Sequence, residues 1–194
     1  MEPWFTNFSC SPFTEPSTPY TIGPLIRYAV KISSATDVER SLKFAKEHNI
    51  RLVIRNSGHD YLGKSTGAGF LALWTHHYKP IEHIQQHSSS WYTGPALRIG
   101  AGVQGFDALD AAHALNLTLV TGNCPTIGLA GDFTQGGGVG QLSSRFGLAA
   151  DQVLECEVVT ADGKILTVSP SNNADLFWAL SGGGGGTFGV VLSV

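Results

Sequence analysis

The stretch from Thr121 to Val153, TGNCPTIGLAGDFTQGGGVGQLSSRFGLAADQV, combines one cysteine, the segment Gly128-Leu129-Ala130-Gly131 and the triplet Gly136-Gly137-Gly138, with Asp132 and Arg145 as the only charges before Asp151. Glycine reaches positive φ and has no Cβ, so such a run lets main-chain N–H groups approach a phosphate or a flat ring. A second stretch of the same kind, Arg55-Asn56-Ser57-Gly58-His59-Asp60, follows the apolar run Leu52-Val53-Ile54. A strand that ends in a short polar turn with a glycine presents consecutive N–H groups, which suits a pyrophosphate. The two together read as a cofactor cradle. For the triplet alone, a Gly-rich surface loop is the other reading, because glycine is the commonest turn residue.

Other residue types that could do chemistry are less well placed. His83 and His87 lie four apart, and imidazole is a zinc and copper ligand. Pro80 interrupts that His-rich run, nothing completes a ligand set, and Ser88-Ser89-Ser90 follows, so solvated loop histidines are expected and no metal. The three cysteines are too few and too scattered for a disulfide framework, and none sits in a Cys-x-x-Cys pair. Cys156, between two glutamates at the start of a Val-Val-Thr run, reads as a small buried hydrophobe. Gly136 to Gly140 lacks the spacing and the later acidic residue of a nicotinamide-binding fingerprint.

Elements must position the cradle, and the composition allows them. A chain of 194 residues suits one domain with a core, and 12 basic against 15 acidic residues give no electrostatic case for nucleic acid. No apolar run approaches the roughly 20 residues that span a bilayer, so no transmembrane helix is expected. Residues 1–24, rich in Pro, Ser, Thr and aromatics, should form an extended arm. Met1-Glu2-Pro3-Trp4 has neither the basic nor the apolar region of a signal peptide, which implies a protein that stays in the cell or a gene model that begins late. Asn7-Phe8-Ser9 and Asn116-Leu117-Thr118 fit the glycosylation pattern, which has meaning only in a secreted protein.

From Ile22 onward strands and helices alternate. Tyr28 to Ile32 is strand-like; Ser34 with Asp37 caps a helix with Val38, Leu42 and Ala45 on one face; Arg51 to Arg55 is the strand that delivers the RNSGHD turn. Phe70 to Trp74 is another strand, followed by the His-rich polar segment, and a second subdomain starts near Ala96. Arg98 to Val103 reads as a strand into a glycine turn. Gly105 to Leu115 reads as a helix with Phe106, Leu109 and His113 near one face, and Leu117 to Val120 as a strand entering the cradle. Leu154 to Thr160 and Lys164 to Val168 form a hairpin around Asp162-Gly163. Asn173 to Leu180 is a short amphipathic helix with Leu176, Trp178 and Leu180 apolar, stopped by glycines 182 to 186, and Thr187 to Val194 begins a strand.

RNSGHD and the cradle, followed by VVTADGKIL at 158–166 and ADLFWALSGGGGGTFGVV at 174–191, resemble the FAD-binding domain of the vanillyl-alcohol-oxidase superfamily, most closely the berberine-bridge-enzyme-like oxidases of fungi and plants. The resemblance implies an α+β fold, a PCMH-type FAD-binding domain over residues 25–194. It would comprise two α/β subdomains, about 25–75 and 96–194, with the substrate domain and the catalytic base missing. His59 matches the histidine that attacks the 8α-methyl of FAD, and Cys124 the cysteine that adds at the flavin 6-position in doubly linked members. Asn56, Ser57 and Gly58 would donate to the pyrophosphate, with Arg55 lending charge. Thr126, Ile127, Gly128 and Gly131 would continue the phosphate and ribityl contacts, Gly136, Gly137 and Gly138 would let the backbone pass close to the flavin, and Val190 would pack on it.

The implied activity passes hydride from a small-molecule substrate to covalently bound FAD and on to dioxygen, in secondary metabolism such as alkaloid pathways; substrate and oligomeric state stay open. Two departures bear on it. Asp132 stands where relatives commonly have glycine, which would set a carboxylate near the pyrophosphate, and Tyr20 holds the place of a usual cysteine partner for Cys10. Relatives are often secreted. Two readings remain beside the oxidase: a flavin-binding remnant without activity whose apolar edge, Val190 to Val194, is exposed, and an interaction module that binds no flavin.

Overall fold

In the computed structural model, residues 7–11 and 13–194 are described. The expectation drawn from Met1-Glu2-Pro3-Trp4, and part of the expected arm, lie outside the described residues. Residues 13–24 carry turns and no helix or strand. The first layer is a parallel sheet of β1 (Tyr28–Lys31), β2 (Leu52–Arg55) and β3 (Leu71–Trp74), in the order β1-β3-β2. Its β1-to-β2 crossover is helix α1 (Ala35–Glu47), which begins where expected: the Ser34 hydroxyl accepts from the Asp37 N–H at 3.3 Å. Val38 and Ala45 are buried and Leu42 packs beside them.

A second element departs from the sequence reading. The His-rich segment is no loop: β4 (Ile81–Ser88) and β5 (Thr93–Ile99) form an antiparallel hairpin with a bulge between Ile84 and His87. Both faces of β4 carry histidine or glutamine, so no apolar alternation marks it as a strand, and its polar composition hid it. The expected start of the second subdomain near Ala96 thus falls inside β5. Helix α2 (Gly105–Ala114) is present, yet the face it buries is Gly105, Ala108 and Ala112, while Phe106 is 61 % exposed. Small side chains let the helix lie closer than a Phe-Leu face would. Residues 117–120 form no strand.

After the short α3 (Ser143–Phe146), strands β6 (Cys156–Val159) and β7 (Ile165–Val168) pair as expected, and the chain reverses between them through Ala161, Asp162 and Gly163, with Gly163 at φ +84. The Thr160 N–H donates to Lys164 O at 2.9 Å, so the turn has three residues, not two, with glycine at the left-handed position. Helix α4 (Ala174–Leu180) packs through Leu176, Phe177 and Leu180 and leaves Trp178 80 % exposed, so Trp178 is not on the inner face. Strand β8 (Val190–Ser193) pairs with β6 on one side. On the other side the Ala101 N–H donates to Leu192 O at 2.7 Å, and Ile99 and Val194 exchange bonds of 2.7 and 3.0 Å. The exposed apolar edge expected at Val190 to Val194 is absent: β8 is paired on both sides and its four residues are buried.

These pairings join the layers. Ile32, Val38, Leu73, Val159, Val190 and Leu192 form one core cluster between the first sheet, α1 and the β6–β8 pair. Ile99, Val103, Ala108, Leu129 and Ala130 form a second under α2. Each fully buried aliphatic side chain contributes about 1.5–3 kcal/mol. Among the described residues no helix is long and apolar enough to cross a membrane.

Candidate cofactor site

The turn after β2 and the segment after residue 120 meet at the seam between the two clusters. Asn56 is the first anchor and is 3 % exposed. Its amide donates to Thr75 Oγ1 and to Ala101 O, both at 2.8 Å, and its main-chain carbonyl accepts from Trp74 Nε1 at 3.1 Å. A Cβ at Gly128 or at Gly131 would collide with this amide, which explains the spacing of the Gly-Leu-Ala-Gly segment. Leu129 and Ala130, between the two glycines, enter the second core cluster, and Leu129–Phe133 winds as a π-helical turn. Gly58 sits at φ +81 with the Arg55 guanidinium folded against it, Arg55 Nη2 lying 3.2 Å from the place of a Cβ.

Ser57 is committed within the protein. Its N–H donates to Asp132 Oδ2 at 3.4 Å and its hydroxyl donates to the same oxygen. The Asp132 carboxylate therefore lies on the turn expected to hold a pyrophosphate and occupies two of that turn's donors.

His59 is exposed, and its Nε2 lies 2.8 Å from Thr126 Oγ1. Cys124 is half-buried with its sulfur 3.6 Å from the same hydroxyl. Hydrogen bonds from the Thr126 hydroxyl, and after it from the Thr126 and Ile127 backbone, hold the Cys124 thiol below its ordinary range. Burial pushes Cys156 the other way, up to about 12, which matches its reading as an inert core thiol. Cys10 is free and exposed. Thr126 is itself fixed: its carbonyl accepts from Gln104 Nε2 at 2.7 Å, while the first turn of α2 donates from Gly105 N to Ile127 O at 3.0 Å and from Phe106 N to Pro125 O at 3.2 Å. Gln104 caps α2 and is held in turn by Lys79 Nζ at 3.1 Å. Sequence reading missed Gln104, since a glutamine before a glycine carries no cap signal of its own.

The triplet divides. Gly137 and Gly138 are buried at φ +96 and +80, and a Cβ on Gly138 would stand 2.6 Å from Ala149 Cβ; Gly136 is exposed with open space around it. The glycines after α4, expected only to stop that helix, also close on the cradle: Gly184 N donates to Gln135 O at 2.9 Å, and the place of a Cβ on Gly185 is 3.4 Å from Gly131 O. Val190 is buried in the first core cluster, beside which Ile54 of the strand before the turn also packs. A cavity of about 510 Å³ between the β4–β5 hairpin and residues 117–120 and 146–155 includes none of Arg55 to His59, Cys124 or Thr126 in its lining. No group of three or more metal-ligating side chains occurs among the described residues.

A family model described as an FAD binding domain matches residues 26–169. The chain belongs to this FAD-binding domain family. It is 58 % identical over 188 residues to the FAD-linked oxidoreductase patO of Penicillium expansum, covering 97 % of the chain and 33 % of that protein. The crystal structure of the VAO-type flavoprotein MtVAO615 from Myceliophthora thermophila superposes with a TM-score of 0.96 at 54 % identity, covering 99 % of this chain and 35 % of that one. A more distant structure, glucooligosaccharide oxidase from Acremonium strictum, carries a 6-S-cysteinyl, 8α-N1-histidyl FAD; its TM-score is 0.73 at 28 % identity, over 85 % of this chain and 33 % of that one. The chain spans about a third of the length of most of the curated relatives it matches and 61 % of one other.

In this FAD-binding domain the residues present fit the cofactor. Gly136 leaves room for close approach, and Gln135 Oε1 and Asn56 Oδ1 are buried acceptors that no donor among the described residues reaches. Two nucleophilic side chains, His59 and Cys124, stand on either side of one hydroxyl.

Proposed function

We propose that the chain is the FAD-holding part of a berberine-bridge-like flavoprotein oxidase, with FAD attached through both His59 and Cys124. The observation that carries this reading is the convergence of the two side chains on Thr126 Oγ1, at 2.8 and 3.6 Å. The 8α and 6 positions of a flavin lie on one edge of its ring, so two nucleophiles held this close can each reach one of them. Each attachment would replace a flavin C–H with a C–N or C–S bond, the two electrons passing to the ring system and on to dioxygen, and the C–H proton, with any proton the nucleophile carried, leaving to solvent. The doubly linked FAD of the Acremonium oxidase supports the same pairing of residue types.

When bound, the flavin supplies a two-electron acceptor that takes hydride from a substrate C–H and is reoxidised by dioxygen, giving hydrogen peroxide. The chain's own residues bind and orient it. Gly58 and its neighbours in the RNSGHD turn hold the pyrophosphate with Arg55 nearby, and Thr126 to Gly131 with Gly136, Gly137 and Gly138 line its passage. The catalytic base and the substrate pocket are assigned to the remainder of a longer protein, since most of the curated relatives are about three times this length. A small molecule of secondary metabolism is the proposed substrate class.

The test is the visible spectrum after acid precipitation together with intact mass. Wild type should keep yellow colour in the pellet and carry the mass of one FAD, His59→Ala and Cys124→Ala should each still carry it, and the double variant should lose it. Wild type that releases all its colour on acidification would refute covalent attachment.

A further inference from the structure

We propose that Thr126 is a shared positioning residue for the two attachment side chains, its single hydroxyl proton setting which nitrogen of His59 and which state of Cys124 face the cofactor. The inference rests on the assignment of His59 and Cys124 as attachment sites. A threonine hydroxyl has one proton to give and lone pairs to accept with. His59 Nε2 and Cys124 Sγ both lie on that hydroxyl, so it can donate to only one of them.

Two arrangements use the hydroxyl proton within the trio. In the first, Thr126 donates to the Cys124 thiolate and accepts from Nε2–H of His59, which leaves the Nδ1 lone pair unprotonated. In the second, Cys124 keeps its proton and donates to Thr126, Thr126 donates to Nε2, and the proton of His59 sits on Nδ1. The first presents a thiolate and a nucleophilic nitrogen together, and the second presents neither. Removing the thiol proton and reversing the hydroxyl converts the second into the first, with the imidazole proton moving from Nδ1 to Nε2. The hydrogen bond from Thr126 lowers the Cys124 thiol, which moves the balance toward the first arrangement.

The setting restricts other influences. Of the neighbouring charges, Asp60 accepts from Lys64 N and Ser65, Asp132 accepts from Ser57, and Lys79 pairs with Asp107 at 3.1 Å. The Thr126 main chain is pinned from α2 through Gln104, Gly105 and Phe106, so its hydroxyl is delivered to a fixed place. Thr126→Val keeps the shape and removes the hydroxyl, whereas Thr126→Ser restores it.

The experiment uses the flavin-free chain in a Cys10→Ser background, in which Cys124 is the accessible thiol because Cys156 is buried. Iodoacetamide alkylation is followed from about pH 6 to 10, a range that spans the ordinary thiol titration. Near neutral pH the valine variant should react about 3- to 10-fold more slowly than wild type, the equivalent of one hydrogen bond, with its profile moved to higher pH, and serine should return the wild-type profile. Nitrogen-15 shifts of His59 in wild type, which need no variant to fold, should show the proton on Nε2 above the thiol midpoint. Superimposable profiles for wild type and valine, or a His59 proton on Nδ1 at every pH, would overturn the proposal. FAD attachment is scored by mass on parallel samples, so failure of the flavin assignment is seen separately from failure of the hydrogen-bond assignment.

Discussion

Replacing Asp132 with asparagine should tighten reversible FAD binding. The carboxylate lies on the turn after β2, where its Oδ2 accepts from both the N–H and the hydroxyl of Ser57. Two unit charges about 4 Å apart repel by about 1 kcal/mol in bulk water and about 4 kcal/mol at the effective dielectric near a protein surface. Asp132 is half-buried, and a pyrophosphate spreads its charge over several oxygens, which places the expected gain at about 1–2 kcal/mol, or about 5- to 30-fold in Kd. Asparagine keeps an oxygen for Ser57, so the turn itself is retained. The assay is quenching of FAD fluorescence in a His59→Ala, Cys124→Ala background, where attachment does not hide the equilibrium. The difference that Asp132→Asn makes in this background should shrink as salt rises from about 0.01 to 1 M, over which the Debye length falls from about 30 to 3 Å. Equal affinities at low salt would refute the placement of the carboxylate beside the pyrophosphate. Weaker binding by the asparagine variant would instead mean that the charge holds the Ser57 turn in its binding shape.

Two further outcomes concern stability. Asn56→Ala removes the bonds to Thr75 and Ala101 O from a nearly closed site, and leaving such partners unpaired should cost about 3 kcal/mol, read as a lower urea midpoint without change in slope. The hydroxyl and then the N–H of Ser33 hold the Asp37 carboxyl below its ordinary value of 3.8. A folded value lowered in this way contributes stability above the unfolded value and loses it as pH falls through the folded one. Asp37→Asn should therefore lower stability near neutral pH and leave it unchanged once Asp37 is protonated in both states, as measured by urea unfolding down through the carboxylate range.

Local signals were the legible part of the sequence. The Ser34 cap, the strand before RNSGHD and the β6–β7 hairpin each depend on residues close in the chain, and each is found. The face of α2 was misread because hydrophobicity favoured Phe106 and Leu109 over Ala108 and Ala112, whereas the helix packs against Leu129 and Ala130 through its small residues. The β4–β5 hairpin was hidden by histidines and glutamines, whose polarity suits strands exposed on both faces. Strand β8 looked like a free edge because its second partner, Ile99 to Ala101, lies far earlier in the chain. Cradle residues were recognisable by type, but what Gly128 and Gly131 touch was not: both meet the amide of Asn56 only after folding.

That meeting explains why one short turn can serve two ends. Asn56, Ser57 and His59 reach Ala101, Asp132 and Thr126, respectively 45, 75 and 67 residues away in sequence. The same turn that closes the two clusters on each other also presents the nucleophilic imidazole. Asn56, at the start of the turn, is held to Thr75 and Ala101 O, and Thr126, the partner of His59, is held by Gln104, so both ends of the His59 contact are tied to the core. An exposed histidine and a half-buried cysteine would ordinarily sample many separations. In the structure the Thr126 hydroxyl brings both to one place, which is the arrangement the proposed double attachment requires.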